Sequence, residues 1–145
     1  VRPDTFDITE IEPGVKRSRR HLGLKGIDIF NFALKEVSPN INELIEYSGI
    51  EKEKIDYFVF HQANKLINES VRKKLKVTDL NKVPYSIDLF GNTSSASIPL
   101  TITTKLKDKL QDHTTLLFSG FGVGYSWASC IFETKNIYCS DLIEL

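Results

Sequence analysis

Sixteen consecutive residues, Leu89 to Thr104, carry no charged side chain. The stretch holds Ala96, Ile98, Leu100 and Ile102 among several Ser and Thr, and its pattern predicts a helix from about Ser95 to Leu110. A surface helix shows a charged stripe opposite its apolar stripe. This one has small or apolar residues all round until Lys105, so it is expected to be covered on two sides. A chain of 145 residues with one sheet does not readily cover a helix twice. The stretch therefore points to a second layer, from a partner chain or from an absent half. The plainer reading is a Ser and Thr face that meets water.

The rest of the chain alternates helical and extended patterns. Residues 1 to 25 are irregular in pattern, with Pro3, Pro13, Gly14 and the basic residues Lys16, Arg17, Arg19 and Arg20. They read as a solvated leading segment, or as a contact for a phosphate or an acidic partner. From Ile27 the spacing of Ile29, Phe30, Ala33 and Val37 predicts a helix, which Ser38-Pro39 is expected to interrupt. Ile41, Leu44 and Ile45 continue an apolar stripe to Ser48-Gly49. Asp56 to Phe60 reads as a short buried strand ending at His61. A helix from about Ala63 to Leu75 is expected to turn Leu66, Ile67, Val71 and Leu75 inward. Val83 to Ile87 reads as an edge strand, and Thr114 to Phe118 and Tyr125 to Glu133 as two more. Gly120, Gly122 and Gly124 are expected in a hairpin-like connection between those two. This order predicts an α/β layered sheet.

Lys and Arg total 19 and Asp and Glu total 19, so the net charge is zero. A protein built around phosphate contacts normally carries a basic excess, which argues against a nucleic-acid binder. No apolar run approaches the roughly 20 residues needed to span a bilayer. Val1 to Arg20 is polar and lacks a signal-peptide pattern, and Cys130 and Cys139 do not make a disulfide framework. These features set the expectation of a cytoplasmic protein without a membrane or nucleic-acid partner. The chain starts at Val1 and has no Met, as an excised piece of a longer protein would.

Three motifs stand in order: Phe60-His61-Gln62-Ala63-Asn64, Gly91-Asn92-Thr93-Ser94-Ser95-Ala96-Ser97, and Gly120-Phe121-Gly122-Val123-Gly124-Tyr125-Ser126-Trp127. Together they closely resemble the second half of ketoacyl-acyl-carrier-protein synthase III, a condensing enzyme of the thiolase-like fold. The segment Lys25 to Ala33 looks like the family's region upstream of its His. The resemblance covers about residues 20 to 134. It implies three regions: a leading segment 1–25, a C-terminal thiolase-like domain 26–134, and a C-terminal extension 135–145. The implied fold is a mixed sheet with helices on both faces, layered α-β-α.

The resemblance places the family's catalytic histidine on His61 and its catalytic asparagine on Asn92. It places the backbone N–H that completes the acyl-transfer oxyanion hole on Val123, with Phe121 and Gly122 bordering the same substrate site. Val123 stands where the family has Gly, and a backbone donor does not require Gly. Carrier-protein or coenzyme A contacts are expected from Asn64, Lys65, Arg72 and Lys73, with Lys74 beside them. The position where the family often has a carrier-contacting Arg is Leu66 here. Ile27 stands where relatives can have a polar coenzyme A contact.

The family's nucleophile is a cysteine at a helix start in the first half, and neither Cys130 nor Cys139 matches it. The implied partners are therefore the absent N-terminal half carrying that cysteine, acyl-CoA, acyl carrier protein, and a second copy of the full-length protein. No metal or resident cofactor is implied; the coenzyme A thioester and the carrier's phosphopantetheine are substrates. The implied reaction loads an acyl group onto cysteine. It then decarboxylates malonyl-acyl carrier protein to an enolate that attacks the acyl-enzyme. An imidazole N–H and an Asn NH₂ are neutral donors suited to the thioester oxygen as it gains charge. This chain alone is expected to be inactive. Two other readings stay open. One is another thiolase-fold condensing enzyme, such as a chalcone synthase or hydroxymethylglutaryl-CoA synthase relative. The other is a non-catalytic homologue that binds acyl carrier protein or another subunit.

Overall fold

The computed structural model describes residues 7–18, 20–21, 25–110, 112–122 and 124–143. Its first element is a β-hairpin, where the sequence pattern reads as irregular. Strand β1 (Thr9–Glu12) pairs antiparallel with β2 (Val15–Arg17) across Pro13-Gly14. Pro13 has its φ preset, and Gly14 takes φ 78°, open to a residue without Cβ. The side chains of β1 are exposed throughout, so no hydrophobic alternation announces the pair.

Helix α1 (Gly26–Phe32) runs through a wide π-type turn at Ala33–Val37 into α2 (Ser38–Ser48). Ser38-Pro39 therefore does not interrupt the helix. Pro39 lacks an N–H and its ring would crowd the carbonyl four residues back; the wide turn before it absorbs both effects. Ala33, Val37 and Ile41 are fully buried along one side.

Strand β3 (Tyr57–Phe60) pairs in parallel with the later strand β4 (Thr114–Gly122), and β4 pairs antiparallel with β5 (Ser126–Thr134). Gly120 and Gly122 thus lie within β4 rather than in the connection, which is shorter than the glycine spacing suggests. Alternation along the strands divides two apolar clusters. Phe58, Phe60, Leu117 and Phe121 face α1, α2 and α3 (Lys65–Lys74), joined by Ile41, Ile67, Val71 and Leu75. Val59 and Leu116 face the other way with Leu106 and Leu110, flanked by Ile98, Phe118 and Phe132. Full burial of one such side chain is worth about 1.5–3 kcal/mol. The sheet accordingly has helices on both faces, the layered α-β-α arrangement expected.

Three local expectations change. Leu66 is 66% exposed rather than inward. Asn64 caps α3, and the buried column is Ile67, Val71 and Leu75, one helical step round from Leu66. Val83 to Ile87 is not a strand: the amides of Ser86 and Ile87 donate to the Gln62 side chain, and Ile87–Phe90 forms a single turn, α4. The uncharged stretch is helical but irregular. Ser94–Ala96 is a 3₁₀ turn, Ser97–Thr101 is α5, Ile102–Leu106 is a wide turn, and Lys107–Lys109 is again 3₁₀. Ser97 and Thr101 are buried against the sheet side, whereas Ser95, Ala96 and Pro99 are exposed. The described residues supply one covering layer for this helix, and its outer side faces open space. Past Thr134, Ile137 and Cys139 pack on the second cluster, and Lys107 pairs with Asp141.

Candidate active site

His61 follows the last residue of β3. Its N–H continues the ladder to the Ser119 carbonyl at 2.9 Å, and its own carbonyl accepts from Ala63 N–H at 2.9 Å and Asn68 Nδ2 at 3.1 Å. The backbone is thereby held on both sides. The ring is held as well. Nδ1 lies 2.7 Å from Ser97 Oγ, and the Phe121 ring meets the imidazole edge-on at 5.5 Å between centroids. Burial pushes the imidazole pKa below the ordinary 6.5, and the Ser94 carbonyl opposes the shift without cancelling it. The ring is neutral near pH 7, so one nitrogen is a donor and the other an acceptor.

Asn92 sits in the turn after Gly91. Its Oδ1 accepts from Ser94 N–H at 2.9 Å, and its Nδ2 donates to the Ala63 carbonyl at 3.3 Å. These bonds fix which end of the amide is which and leave one N–H of Nδ2 unspent. Gly91 takes φ 67° and ψ −155°, a combination reserved almost wholly for Gly, and this delivers Asn92 to its place.

His61 and Asn92 line one cavity of about 930 Å³, near the upper end of ligand pockets. Its walls come from α1, the β3–α3 junction, the 3₁₀ turn before α5, and the Gly120–Gly122 segment of β4. Phe121 and Gly122 line it; Val123 lies outside the described residues. Ile27, 77% exposed, and Leu66 lie at this cavity too and give it apolar surface. Its described lining contains no cysteine, with Cys130 on β5 and Cys139 in the tail.

The four expected carrier or coenzyme contacts separate. Asn64 lines the cavity but its Oδ1 accepts from Leu66 N–H at 2.8 Å as the α3 N-cap. Lys65 is exposed and pairs with Asp88 at 2.8 Å. Lys73 is exposed. Arg72 is turned inward: it grips Glu69 at 2.7 Å and the Val77 carbonyl at 2.6 Å, and Tyr85 donates to the same Glu69 at 2.6 Å. The Arg72 hydrogen bond holds the Glu69 carboxyl below the usual carboxylate range. The Arg72 donors thus face Glu69 and the Val77 carbonyl.

Two positions carry more than their sequence context suggests. Gln62, fully buried, donates to the Phe60 carbonyl at 2.8 Å and accepts from Ser86 and Ile87 N–H at 3.1 and 3.2 Å. Ser97 receives Gln62 N–H at 3.2 Å beside its contact to His61. Ser97 closes the second motif, but spacing alone does not reveal a partner 36 residues away.

A mixed sheet between helix layers, with a histidine at a strand end and an asparagine before the facing helix, defines a thiolase-like α/β protein. The chain belongs to the condensing-enzyme family whose C-terminal profile, "3-Oxoacyl-[acyl-carrier-protein (ACP)] synthase III C terminal", matches residues 45–134. It is 44% identical over 117 residues to the beta-ketoacyl-[acyl-carrier-protein] synthase III of Streptococcus agalactiae serotype III (strain NEM316), covering 79% of this chain and 36% of that protein. Among solved structures it is similar to a 3-oxoacyl-(acyl-carrier protein) synthase from Burkholderia xenovorans LB400. That match has TM-score 0.84 and 41% identity, over 89% of this chain and 37% of the other. The synthase III of Thermus thermophilus matches with TM-score 0.73 and 31% identity, over 83% of this chain and 38% of the other. The chain thus spans roughly a third of the length of the relatives it matches.

Proposed function

We propose that this chain is the C-terminal catalytic half of a condensing enzyme that joins an acyl group, taken from coenzyme A, to malonyl-acyl carrier protein with decarboxylation. The observation that carries the reading is the pairing of His61 and Asn92 on one cavity, each pinned by its own hydrogen bonds. In the reaction the C–C bond to the malonyl carboxylate breaks and carbon dioxide leaves. The electron pair moves to the thioester, whose oxygen gains charge. His61 N–H and the unspent Asn92 N–H donate to that oxygen from positions set before the reaction starts. The enolate carbon then attacks the acyl-cysteine carbonyl and expels the thiolate. Val123 N–H is assigned to the acyl-transfer step.

The cysteine belongs to an N-terminal half, consistent with the fraction of the relatives that this chain spans. That half also covers the exposed Ser95, Ala96 and Pro99 side of the uncharged helix. The isolated chain is accordingly inactive. The full-length protein acts as a cytoplasmic homodimer, using Lys65 and Lys73 toward the acidic carrier. Among the described residues no helix is long and apolar enough to cross a membrane.

The test uses full-length enzyme with His61→Ala. Acyl transfer from coenzyme A to cysteine should persist, and decarboxylation of a malonyl thioester should fall about 10²–10³-fold, the usual cost of one such donor. Normal condensation by this variant would remove His61 from the mechanism.

A further inference from the structure

The hydrogen bonds around Ser97 Oγ bear on which nitrogen of His61 carries the proton. A hydroxyl has one hydrogen and two lone pairs. Gln62 N–H, 3.2 Å away, occupies one lone pair. His61 Nδ1, 2.7 Å away, is the other neighbour. Were Nδ1 the donor, Ser97 Oγ would accept twice and its own hydrogen would need a third group. Ser97 is 1% exposed, and Ser97 Oγ meets no other acceptor among the described residues. A buried hydroxyl hydrogen without an acceptor is costly. The arrangement that satisfies every atom has Ser97 donating to Nδ1.

We infer that Ser97 is the positioning residue of this site, its hydroxyl donating to Nδ1 so that the neutral His61 keeps its hydrogen on Nε2. The inference deepens the condensing reading and, for its catalytic consequence, rests on it. Nδ1 is bound to α5, and the Ser94 carbonyl is a further hydrogen-bond acceptor for the ring, which suits a hydrogen on Nε2 that a ligand in the cavity would share. A donor is what a developing oxyanion needs there, and the opposite tautomer would present a lone pair to it. Ser97 is itself anchored. Its carbonyl accepts from Thr101 Oγ1 at 2.7 Å, and that hydroxyl lies 2.7 Å from Ser86 Oγ. Gln62 joins Ser86 to the end of β3 at 3.1 Å. The tautomer of His61 is thereby tied to a buried chain of polar groups that links β3, the loop before α4, and α5.

The full-length enzyme, labelled with ¹⁵N in histidine, tests this by long-range ¹H–¹⁵N NMR at about pH 8, where the imidazole is neutral. His61→Ala assigns the signal. The wild type should show the Nε2–H tautomer, Ser97→Ala should lose that preference, and Ser97→Thr, which keeps the hydroxyl, should retain it. Malonyl-thioester decarboxylation should fall about tenfold in kcat for Ser97→Ala, with KM and acyl loading little changed, and recover in Ser97→Thr. An Nδ1–H tautomer in the wild type overturns the inference, and that measurement does not depend on any variant folding. An unchanged tautomer in Ser97→Ala overturns it as well. A wild type with the Nε2–H tautomer that decarboxylates no malonyl thioester would refute the condensing reading and leave the Ser97 assignment standing.

Discussion

Gln62 Oε1 accepts the backbone N–H of Ser86 at 3.1 Å, so one buried side-chain amide joins the end of β3 to a loop 24 residues further on. The same oxygen accepts from Ile87, and the Nε2 end returns to the Phe60 carbonyl. Gln62→Leu preserves most of the volume and strands all three backbone groups. It should destabilise the intact protein by about 2–4 kcal/mol, since a buried unsatisfied group costs about 1–3 kcal/mol. Urea denaturation reads this directly; a loss under half a kcal/mol would mean the amide is dispensable.

The depressed pKa of His61 has a signed consequence. Its NMR titration midpoint should lie below 6.5. Between that midpoint and the unfolded value the unfolded chain binds more protons. The contribution to stability is therefore complete above about pH 6.5 and is lost as pH falls through the window below it. His61→Phe should flatten this part of the stability profile measured between about pH 5 and 8. A midpoint above 6.5 would show that burial is not the governing cause.

At Gly91 the backbone conformation, not the space around it, forbids a side chain. An added Cβ meets nothing within 4 Å, yet φ is +67°. Gly91→Ala should cost about 1–3 kcal/mol in strain. Relief of that strain moves Asn92, so kcat for decarboxylation should drop more than thermal stability suggests. Unchanged kcat would separate Asn92 from the chemistry.

Arg72 and Lys73 are sequence neighbours with opposite fates, one turned inward and the other exposed, so substitutions can separate folding from the proposed docking. Arg72→Ala leaves Glu69, Tyr85 and the Val77 carbonyl without their cation and should cost about 1–3 kcal/mol. Lys73→Glu should change stability by less than about 0.5 kcal/mol, as at an ordinary surface position. It should raise KM for acyl carrier protein and leave coenzyme A kinetics alone. An unaffected carrier KM would place the docking surface elsewhere.

Much of the site is readable along the chain because local chemistry specifies it. Phe58 to Phe60 is apolar enough to be a buried strand, and His61 ends it. Asn64 is a good N-cap, and α3 forms behind it from Lys65. Other features depend on partners remote in sequence. Val83 to Ile87 has strand composition, but Gln62 takes its amides. Arg72 reads as part of a basic surface until Glu69 and Tyr85 turn it inward. Leu66 is apolar yet exposed, because Asn64 sets where α3 starts and so which side is buried. The β1–β2 hairpin gave no signal beyond Pro13-Gly14, since its strands bury nothing.

The α/β class and the β3, α3, β4 and β5 segments follow from residue types and spacing, which act over a few residues, and the candidate pair His61 and Asn92 from the resemblance of three motifs to a family. Side-chain direction, hydrogen-bond partner and protonation do not, because they are set where distant segments meet. That His61 faces Ser97, that Gln62 binds Ser86, and that Arg72 is spent inside the protein are consequences of β3 lying between two helix layers. The uncharged run from Leu89 to Thr104 stands between the two cases. Its composition sets the expectation of a second covering layer, and the fold shows which side, at Ser95, Ala96 and Pro99, is exposed among the described residues.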